Sequence, residues 1–376
     1  MSGRLEAEQV ETVIIGGGQA GLATGYHLAR RRRAFVILEA NDRIGDSWRS
    51  KWDSLRLFTP ARLSQLPGAP HAGPGWAFHT KDEFADYLEA YSRRFNLDVR
   101  AGVRVRDVRR GGGRYVVTAG TVRYEADHVV LATGAHREPR VPDFASRLDP
   151  ATVQLHSSAY RNPDQLRPGP ALVVGAGNSG AEIALELAGR FDVRLAGNRV
   201  PVFPARPATL AGRVVMPLFL FAAKHVLTTT TPLGRRARPY IRAHAAPLIR
   251  VKPPDLVAAG VRRVERVVGV RDGQPQLGDG TVLEVANVIW CTGFRTDYRW
   301  IDRPSFRAGE EPSHERGVIT AEPGMYMVGQ LFQHALASTF IAGVGRDADH
   351  VAGVIARRAR TRAVDVTRAS VTSSMT

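Results

Sequence analysis

The apolar positions of this chain fall into short runs, each followed by small residues and then by a stretch with helical spacing. The first run is Val13-Ile14-Ile15, which leads through Gly16-Gly17-Gly18 into a helix-like segment from Leu22 to Ala29. A second apolar run, Ala34 to Leu38, follows directly. Strands that alternate with helices are typical of a parallel sheet covered by crossover helices. The pattern therefore predicts an α/β fold.

The same unit recurs 159 positions further along the chain. Ala171 to Val174 is again apolar and leads into Gly175-Ala176-Gly177-Asn178-Ser179-Gly180, then into a helical segment from Ala181 to Ala188. Asp192 to Leu195 has the composition of the strand that follows. Two such units in one chain predict two Rossmann-like dinucleotide-binding domains.

Shorter segments fill the space between and after these units. Alternating residues predict antiparallel strands with glycine turns, and the predicted strands are Val99–Val108, Arg114–Ala119, Thr121–Tyr124, Val264–Val270, Gln276–Leu277 and Thr281–Leu283. His128 to Leu131 and Val288 to Trp290 are strands of the buried type, and both end near a Thr-Gly pair. A helix is predicted from about Leu336 to Arg358.

The apolar stretch from Val214 to Leu227 is shorter than the ~20 residues that a membrane span needs. Pro217 and Lys224 interrupt it. We interpret residues 210–250 as a helical insertion over the active site. Peripheral membrane contact is the less favoured alternative, suggested by Arg235-Arg236-Ala237-Arg238.

Composition narrows the class of protein. The net charge is +16, and of 52 basic residues only four are lysines. The arginines are scattered and no aromatic-interleaved RNA-binding pattern accompanies them, so no nucleic-acid partner is predicted. The single cysteine, Cys291, excludes a disulfide framework and a thiolate metal cluster, and no metal site is expected. Residues 1–12 lack the apolar core of a signal peptide, which predicts a cytoplasmic protein.

The first glycine loop has the spacing of a dinucleotide-binding fingerprint. Gly16 allows the tight bend, Gly18 lets the backbone approach a pyrophosphate, and Gly21 allows close packing of helix on strand. The free N–H groups at the helix start face the phosphates. Glu39, at the end of the second strand, is placed to accept hydrogen bonds from ribose hydroxyls.

The second loop differs at the ribose position. The residue equivalent to Glu39 is Asn198, and Arg199 follows it. An arginine can pair with a 2′-phosphate that a carboxylate would repel. The second site is therefore predicted to accept NADPH, and the neutral Asn198 permits NADH as well.

These motifs together resemble the flavin-containing monooxygenases, and more narrowly their short bacterial members. The resemblance covers roughly residues 10–360. It is carried by the two glycine loops, the Gly45-Asp46-Ser47-Trp48 segment, the paired Thr-Gly strand ends and Leu155 to Tyr160 before the second loop. It implies FAD at the first loop, NAD(P)H at the second, and two domains of the glutathione-reductase type.

The resemblance also implies a domain order in which the NAD(P)H domain is inserted in the FAD domain. The predicted ranges are 1–150 for the first part of the FAD domain, 151–287 for the NAD(P)H domain, 288–363 for the second part of the FAD domain and 364–376 for a disordered tail. The length of 376 residues agrees with two domains. A monomer or homodimer is expected.

The family's chemistry would be the insertion of one oxygen atom from O2 into a small organic substrate through a flavin C4a-hydroperoxide. The identifying motif of the family reads Phe-x-Gly-x-x-x-His-x-x-x-Tyr/Phe. In this chain His156 and Tyr160 match its last two positions, while Pro150 and Thr152 stand in place of the Phe and the Gly. The tyrosine favours S- or N-oxidation over Baeyer–Villiger oxidation. Phe58 replaces an asparagine that lies beside the flavin in the family.

That replacement leaves an NAD(P)H oxidase or flavin reductase that releases H2O2 as the main alternative. A disulfide reductase of the same fold needs a cysteine pair that this chain lacks. A flavin-binding regulator without turnover is a third class. Phe58, His156 and Tyr160 are the candidate catalytic residues.

The candidate cofactor contacts follow the two loops, the strand ends and the segments that the resemblance implies. They are Gly16, Gly18, Gln19, Ala20, Gly21, Glu39, Ala40, Gly45, Ser47, Trp48, Arg49, Leu57, Thr59, Val105, Ala132, Thr133, Gly134, Gly175, Gly177, Asn178, Ser179, Asn198, Arg199, Cys291, Thr292, Gly293 and Gly329.

Overall fold

The computed structural model describes residues 6–71, 73–134, 138–307 and 310–373. It contains sixteen strands in this part of the chain: β1 Glu6–Ile15, β2 Phe35–Leu38, β3 Val99–Arg100, β4 Val105–Gly111, β5 Arg114–Ala119, β6 Val122–Leu131, β7 Glu138–Pro139, β8 Val153–His156, β9 Ala171–Val174, β10 Val193–Ala196, β11 Arg262–Val264, β12 Val267–Arg271, β13 Gln274–Leu277, β14 Asn287–Trp290, β15 Phe294–Arg295 and β16 Met325–Met327.

Eight α-helices accompany the strands in the same residues: α1 Gln19–Arg30, α2 Asp46–Arg49, α3 Lys81–Arg94, α4 Asn178–Leu187, α5 Leu210–His225, α6 Pro232–Ala243, α7 Pro253–Ala258 and α8 Ile341–Ser373. Short 3-10 turns lie at Ala61–Leu63, Asp143–Arg147, Pro163–Gln165 and Leu336–Thr339. None of the helices within the described ranges is both long enough and apolar enough to cross a bilayer.

The first domain is built on a sheet with the order β3-β2-β1-β6-β5-β4. Strand β1 lies parallel to both β2 and β6, and α1 makes the crossover between β1 and β2. The long strand β6 changes partner along its length: its first half pairs antiparallel with β5, and its last three residues pair parallel with β16. The two segments predicted separately as Thr121–Tyr124 and His128–Leu131 are thus one strand.

The second domain repeats the parallel arrangement in a sheet with the order β11-β10-β9-β14-β8. Each sheet buries apolar faces on both sides, since β2, β9 and β14 are almost wholly inaccessible. This confirms the prediction of an α/β fold with two Rossmann-like domains. The chain passes between the two domains twice, and the two connecting segments pair with each other as the short antiparallel strands β7 and β15.

The sheet pairing places one domain boundary differently from the sequence. Strand β14, which starts at Asn287, pairs with β9 and β8 of the second sheet. The return to the first domain therefore follows Trp290, whereas the sequence placed it at residue 288. The apolar character of this strand is the same in either sheet, so only the hydrogen-bonded register assigns it.

The turn predicted between Leu277 and Thr281 is present: the Leu277 N–H donates to the Thr281 carbonyl, and Gln276 and Val282 form an antiparallel bridge. A further turn at Asp272 and Gly273 joins β12 to β13. One further segment differs from the sequence prediction. Helix α8 continues to Ser373, so its backbone covers most of the tail that was predicted to be disordered from residue 364. Residues 374–376 lie outside the described residues.

Candidate active site

The first glycine loop joins β1 to α1 and leaves open space at the helix start. Gly16 has a φ of +110°, and a Cβ there would lie 2.5 Å from the carbonyl oxygen of Ala132. At Gly21 a Cβ would lie 1.9 Å from the carbonyl oxygen of Gly16. Gly18 differs, because its φ is −77° and a Cβ there would meet no atom within 4 Å. The fold requires the first two glycines, whereas Gly18 keeps room for a ligand in front of the backbone N–H groups.

The second loop, between β9 and α4, has the same construction. Gly175 has a φ of +109°, and a Cβ would lie 2.2 Å from the carbonyl oxygen of Cys291. At Gly180 a Cβ would lie 1.7 Å from the carbonyl oxygen of Gly175. At Gly177 a Cβ would meet no atom within 4 Å. Ala132 and Cys291 therefore have equivalent roles: each ends a central strand against the bend of a glycine loop.

Glu39 connects the end of β2 to the first loop. Its carboxylate is buried and accepts a hydrogen bond from the Gly17 N–H at 2.6 Å. The other carboxylate oxygen accepts from the backbone N–H and the side-chain amide of Asn41, at 2.8 Å and 2.6 Å. A carboxylate has about four lone-pair sites, so capacity for ribose hydroxyls remains. Ala40 continues the same turn.

At the corresponding end of the second domain the structure adds a residue that the sequence did not indicate. Asn198 and Arg199 are exposed beyond β10. Arg263, on the neighbouring strand β11, donates to the carbonyl oxygen of Gly197 at 2.8 Å. Partial desolvation and then the charge of Arg199 lower the pKa of Arg263. Two cations therefore lie together at the position where a 2′-phosphate would be recognised.

A cavity lies between the two helix starts and includes about 810 Å³ of empty space that opens to solvent. Its walls come from α1, α2, the segment that follows α2, α4, α5 and the start of α8. The lining residues are Gln19, Trp48, Trp52, Leu55, Arg56, Leu57, Phe58, Thr59, Leu63, Asn178, Ser179, Glu182, Leu220, Thr339, Phe340, Ile341 and Ala342. The first helical residues after the two glycine loops, Gln19 on one side and Asn178 with Ser179 on the other, thus face one space.

Most of the cavity wall is apolar. Trp48 packs edge-on against Phe84 with ring centroids 4.8 Å apart, which fixes the orientation of its indole. Leu57 is buried in the first domain's core, and Leu220 of α5 closes the opposite side. Phe58 is 37% exposed and lines the space. Such a wall excludes water from whatever the cavity holds.

Glu182, in the second turn of α4, is the only acidic residue among the described residues that line the cavity. Burial raises its pKa to about 7, and the positive charge of Arg250 only partly opposes this shift. The Arg250 guanidinium lies 3.5 Å from the carboxylate and donates to the backbone carbonyl of Arg56 at 3.1 Å. Glu182 is therefore a proton-carrying group at the junction of the two domains. The sequence motif did not single it out, because helical spacing alone does not show which face meets the cavity.

Thr133 Oγ1 and Gln330 Nε2 near the first loop, and Nε1 of Trp52 in the cavity wall, are buried without a protein partner among the described residues. Leaving a buried donor unsatisfied costs about 1–3 kcal/mol. Gly329, next to Gln330, approaches α1 so closely that a Cβ would lie 3.0 Å from Ala20. N–H and O–H donors of this kind suit the carbonyl and ring-nitrogen acceptors of a flavin, so the residues present fit that group.

His156 lies at the end of β8 beside the second Thr-Gly pair. Its Nε2 is 3.0 Å from the carbonyl oxygen of Gly293, and its Nδ1 is 2.9 Å from Ser158 Oγ. A carbonyl can only accept, so Nε2 carries the proton. Burial lowers the pKa of His156, so the ring is neutral at pH 7. This histidine holds the Thr292-Gly293 turn and does not line the cavity.

Tyr160 is not brought to the cavity. Its ring is fully buried in the second domain's core, and its hydroxyl donates to Glu186 at 2.7 Å. The structure thus gives Tyr160 a packing role and separates it from Phe58, which does line the cavity.

Several predicted cofactor contacts also have other partners. The Arg49 guanidinium forms ion pairs with Asp46, Asp86 and Glu89, and Ser47 is exposed on α2. Gly45 is needed for its φ of +90° and its close approach to α3. Val105 begins β4 and packs on the core behind the sheet.

Other predicted contacts do meet at the cavity. Asn178 lines it, and its amide also fastens the loop before α7 through Pro247 and Ile249. Gln19 lines it and donates to the carbonyl of Thr339 at 3.4 Å. Thr59 and Ser179 line it as well.

Comparisons with known proteins agree with this geometry. A sequence family described as pyridine nucleotide-disulphide oxidoreductase matches residues 13–206. A CzcO-like oxidoreductase of Geobacillus kaustophilus is 36% identical over 91% of this chain and 97% of its own length. An indole-3-pyruvate monooxygenase of Oryza sativa is 30% identical over 76% of this chain and 77% of its own.

The solved structure of a flavin-containing monooxygenase from Stenotrophomonas maltophilia covers 94% of this chain and 99% of its own, with 28% identity and a TM-score of 0.77. The chain belongs to the flavin-containing monooxygenase family. Membership confirms the predicted resemblance and makes the chain an oxidoreductase that works with a flavin, a nicotinamide cofactor, O2 and a small molecule.

The broader family description includes disulfide chemistry, for which this member lacks the residues. Thiol–disulfide exchange requires a thiolate. Burial raises the pKa of Cys291 to about 12, so its thiol stays protonated, and the sequence contains no second cysteine. Cys291 contributes its backbone to the second loop.

Proposed function

We propose that this member is an FAD-dependent monooxygenase that consumes NADPH and transfers one oxygen atom from O2 to the sulfur or nitrogen of a small substrate. The observation that supports this most directly is that residues directly after both glycine loops line the same apolar cavity. The chemistry that FAD would supply when bound is to accept hydride from NADPH and to activate O2. The first loop and Glu39 would hold FAD, and the second loop with Arg199 and Arg263 would hold NADPH.

The protein's own contribution is positioning and the exclusion of water. His156 donates a hydrogen bond to the carbonyl oxygen of Gly293 and so fixes the turn beside the second loop. Arg250 fastens the wall of the second domain to the backbone of the first across the cavity. Holding two reacting groups in a fixed geometry replaces a bimolecular encounter with a local one. The apolar wall around Trp48, Leu57 and Leu220 keeps water away from the reaction.

An NADPH oxidase that releases H2O2 is the second candidate function. Phe58 favours it, because an apolar ring lines the cavity where the sequence pattern of the family expects an amide. A wall without that hydrogen-bond donor stabilises reduced-oxygen species less well.

Product stoichiometry separates the two candidates. We expect the holoenzyme, given NADPH and thioanisole in air, to form methyl phenyl sulfoxide for most of the NADPH consumed. The measurement is sulfoxide by chromatography and H2O2 by a peroxidase-coupled assay in the same sample. H2O2 equal to the NADPH consumed, with no sulfoxide from thioanisole or from an amine substrate, would establish the oxidase instead.

The basic pair at the second loop predicts the choice of nicotinamide cofactor. We expect Arg199→Ala and Arg263→Ala each to raise the KM for NADPH about tenfold, because each removes a charge-assisted contact to the 2′-phosphate. The KM for NADH should change little. Arg262→Ala is the matched control, since Arg262 is adjacent on β11 but pairs with Asp192. An equal rise for both cofactors would contradict recognition of the 2′-phosphate.

A further inference from the structure

Helix α5 is apolar on two opposite faces, and only one of them is covered. Met216 and Leu220 on the inner face pack with Phe203 and Ile249, and Leu220 lines the cavity. The outer face carries large apolar side chains that are each more than half exposed: Leu210, Val214, Leu218 and Phe221. Their spacing of four, four and three residues places them in one stripe along a helix about 24 Å long.

Exposed apolar side chains are concentrated here. Twelve large apolar residues in the described part of the chain are more than a third exposed, and seven of them lie between residues 210 and 240. Besides the stripe these are Val226, Leu233 and Tyr240. Scattered exposed apolar residues are ordinary in proteins, but a cluster of this kind marks a contact surface.

The segment that carries this surface has charged side chains of one sign only. Residues 193–254 contain no Asp or Glu, although they contain eleven basic residues: Arg194, Arg199, Arg206, Arg213, Lys224, Arg235, Arg236, Arg238, Arg242, Arg250 and Lys252. Among them Arg213, which lies between two residues of the stripe, and Arg235 and Arg236 of α6 are exposed. Within the described residues none of these three forms an ion pair with a carboxylate.

We propose that the stripe of α5 and the arginines of α6 form a docking surface for an anionic lipid bilayer. An apolar stripe flanked by unpaired arginines is the combination that partitions into the headgroup region of such a bilayer. With 16 residues, Pro217 and Lys224, α5 is too short and too polar to span it, so the helix lies along the surface.

A second copy of this chain fits the surface less well. In a twofold interface the same patch meets itself, so the arginines of both copies would be brought together, and residues 193–254 supply no acidic residue to offset them. A nucleic acid would use the arginines but not the aliphatic stripe. Because Leu220 and Leu218 belong to one helix, docking would bring the cavity close to the lipid.

The test is vesicle flotation with the FAD-loaded full-length protein. We expect binding to phosphatidylcholine vesicles that contain about 30% phosphatidylglycerol, at least about tenfold stronger than to phosphatidylcholine alone. Raising NaCl from about 0.05 to 0.5 M should weaken it, because surface charges are screened. Leu218→Ser with Phe221→Ser should abolish flotation, and Arg235→Gln with Arg236→Gln should reduce it about tenfold or more.

Two matched pairs control for general effects. Val257→Ser with Val268→Ser removes two equally exposed apolar side chains elsewhere, and Arg266→Gln with Arg271→Gln removes two exposed charges elsewhere. Neither pair should change flotation, and all variants should keep the flavin absorbance of the unmodified protein. Absence of vesicle binding, or equal losses in test and control pairs, would overturn the proposal. A dimer in sedimentation that Leu218→Ser with Phe221→Ser converts to a monomer, without any vesicle binding, would make this face a contact between copies.

Discussion

Gly18→Ala is expected to give a folded protein that is nearly colourless and does not turn over NADPH. The backbone at Gly18 has a φ of −77° and a ψ of −171°, which alanine adopts without strain, and no atom lies within 4 Å of the new Cβ. The methyl group would occupy the open space in front of α1 where the FAD pyrophosphate is proposed to lie. Overpacking of this kind costs about 1–3 kcal/mol, or about 5- to 150-fold in FAD affinity. The measurement is flavin absorbance of the purified protein, followed by FAD titration of the apoprotein.

Gly177→Ala is the matched control, because Gly177 has nearly the same backbone angles and equally open surroundings in the second loop. This variant should keep its FAD and instead raise the KM for NADPH by a similar factor. Gly16→Ala, by contrast, should fail to fold, since its φ is +110° and its Cβ would lie 2.5 Å from a backbone oxygen. Normal FAD affinity in Gly18→Ala would contradict the assignment of FAD to the first loop. Loss of FAD in Gly177→Ala would instead assign FAD to the second loop.

Glu182→Gln is expected to stabilise the protein at alkaline pH and to leave it unchanged at low pH. Burial raises the pKa of Glu182 from 4.5 to about 7, so the folded protein holds this proton more tightly than the unfolded chain does. The contribution of this protonated carboxyl group to the free energy of unfolding is fully present below about pH 4.5. It is lost as the pH rises to about 7. The full shift corresponds to about 3 kcal/mol. Glutamine keeps the shape but does not ionise, so the variant avoids this loss.

Thermal unfolding with saturating FAD measures the effect. The variant and the unmodified protein should have the same Tm at pH 4.5 and differ by a few degrees at pH 8, with the variant higher. Glu265→Gln, at an exposed glutamate, controls for the loss of one surface charge. A Tm difference that does not depend on pH would show that Glu182 is ionised throughout this range.

The two nucleotide loops and the α/β class were readable from the sequence because their causes are local. Gly16 and Gly175 need positive φ values and the absence of a Cβ, which only glycine supplies at low cost. The apolar runs of β1 and β9 are continuous because both faces of a parallel sheet are covered. The difference between Glu39 and Asn198 at the ribose positions also follows from position in the repeat alone.

The sequence did not show the neighbours that some residues gain from packing between distant segments. Arg263 reaches the second loop only because β11 pairs with β10, and no local pattern shows that neighbour. Tyr160 has the motif spacing of a functional residue, but the core of the second domain buries it against Glu186. Arg49 follows the Gly-Asp-Ser-Trp segment, and three carboxylates, two of them on α3, hold its guanidinium.

The sequence by itself determined that this chain has two glycine loops, each between parallel strands, and no cysteine pair, since bends, strand periodicity and composition are properties of neighbouring residues. Only the tertiary structure decided that residues directly after both loops line one apolar cavity, that Glu182 lies buried in its wall, and that α5 leaves a stripe uncovered. Each of these depends on which surfaces the domains and the inserted helices present to one another. The whole fold decides which residues are buried and which distant strands pair. The helical or strand period of the sequence shows only which face of an element is apolar, and not what packs against that face.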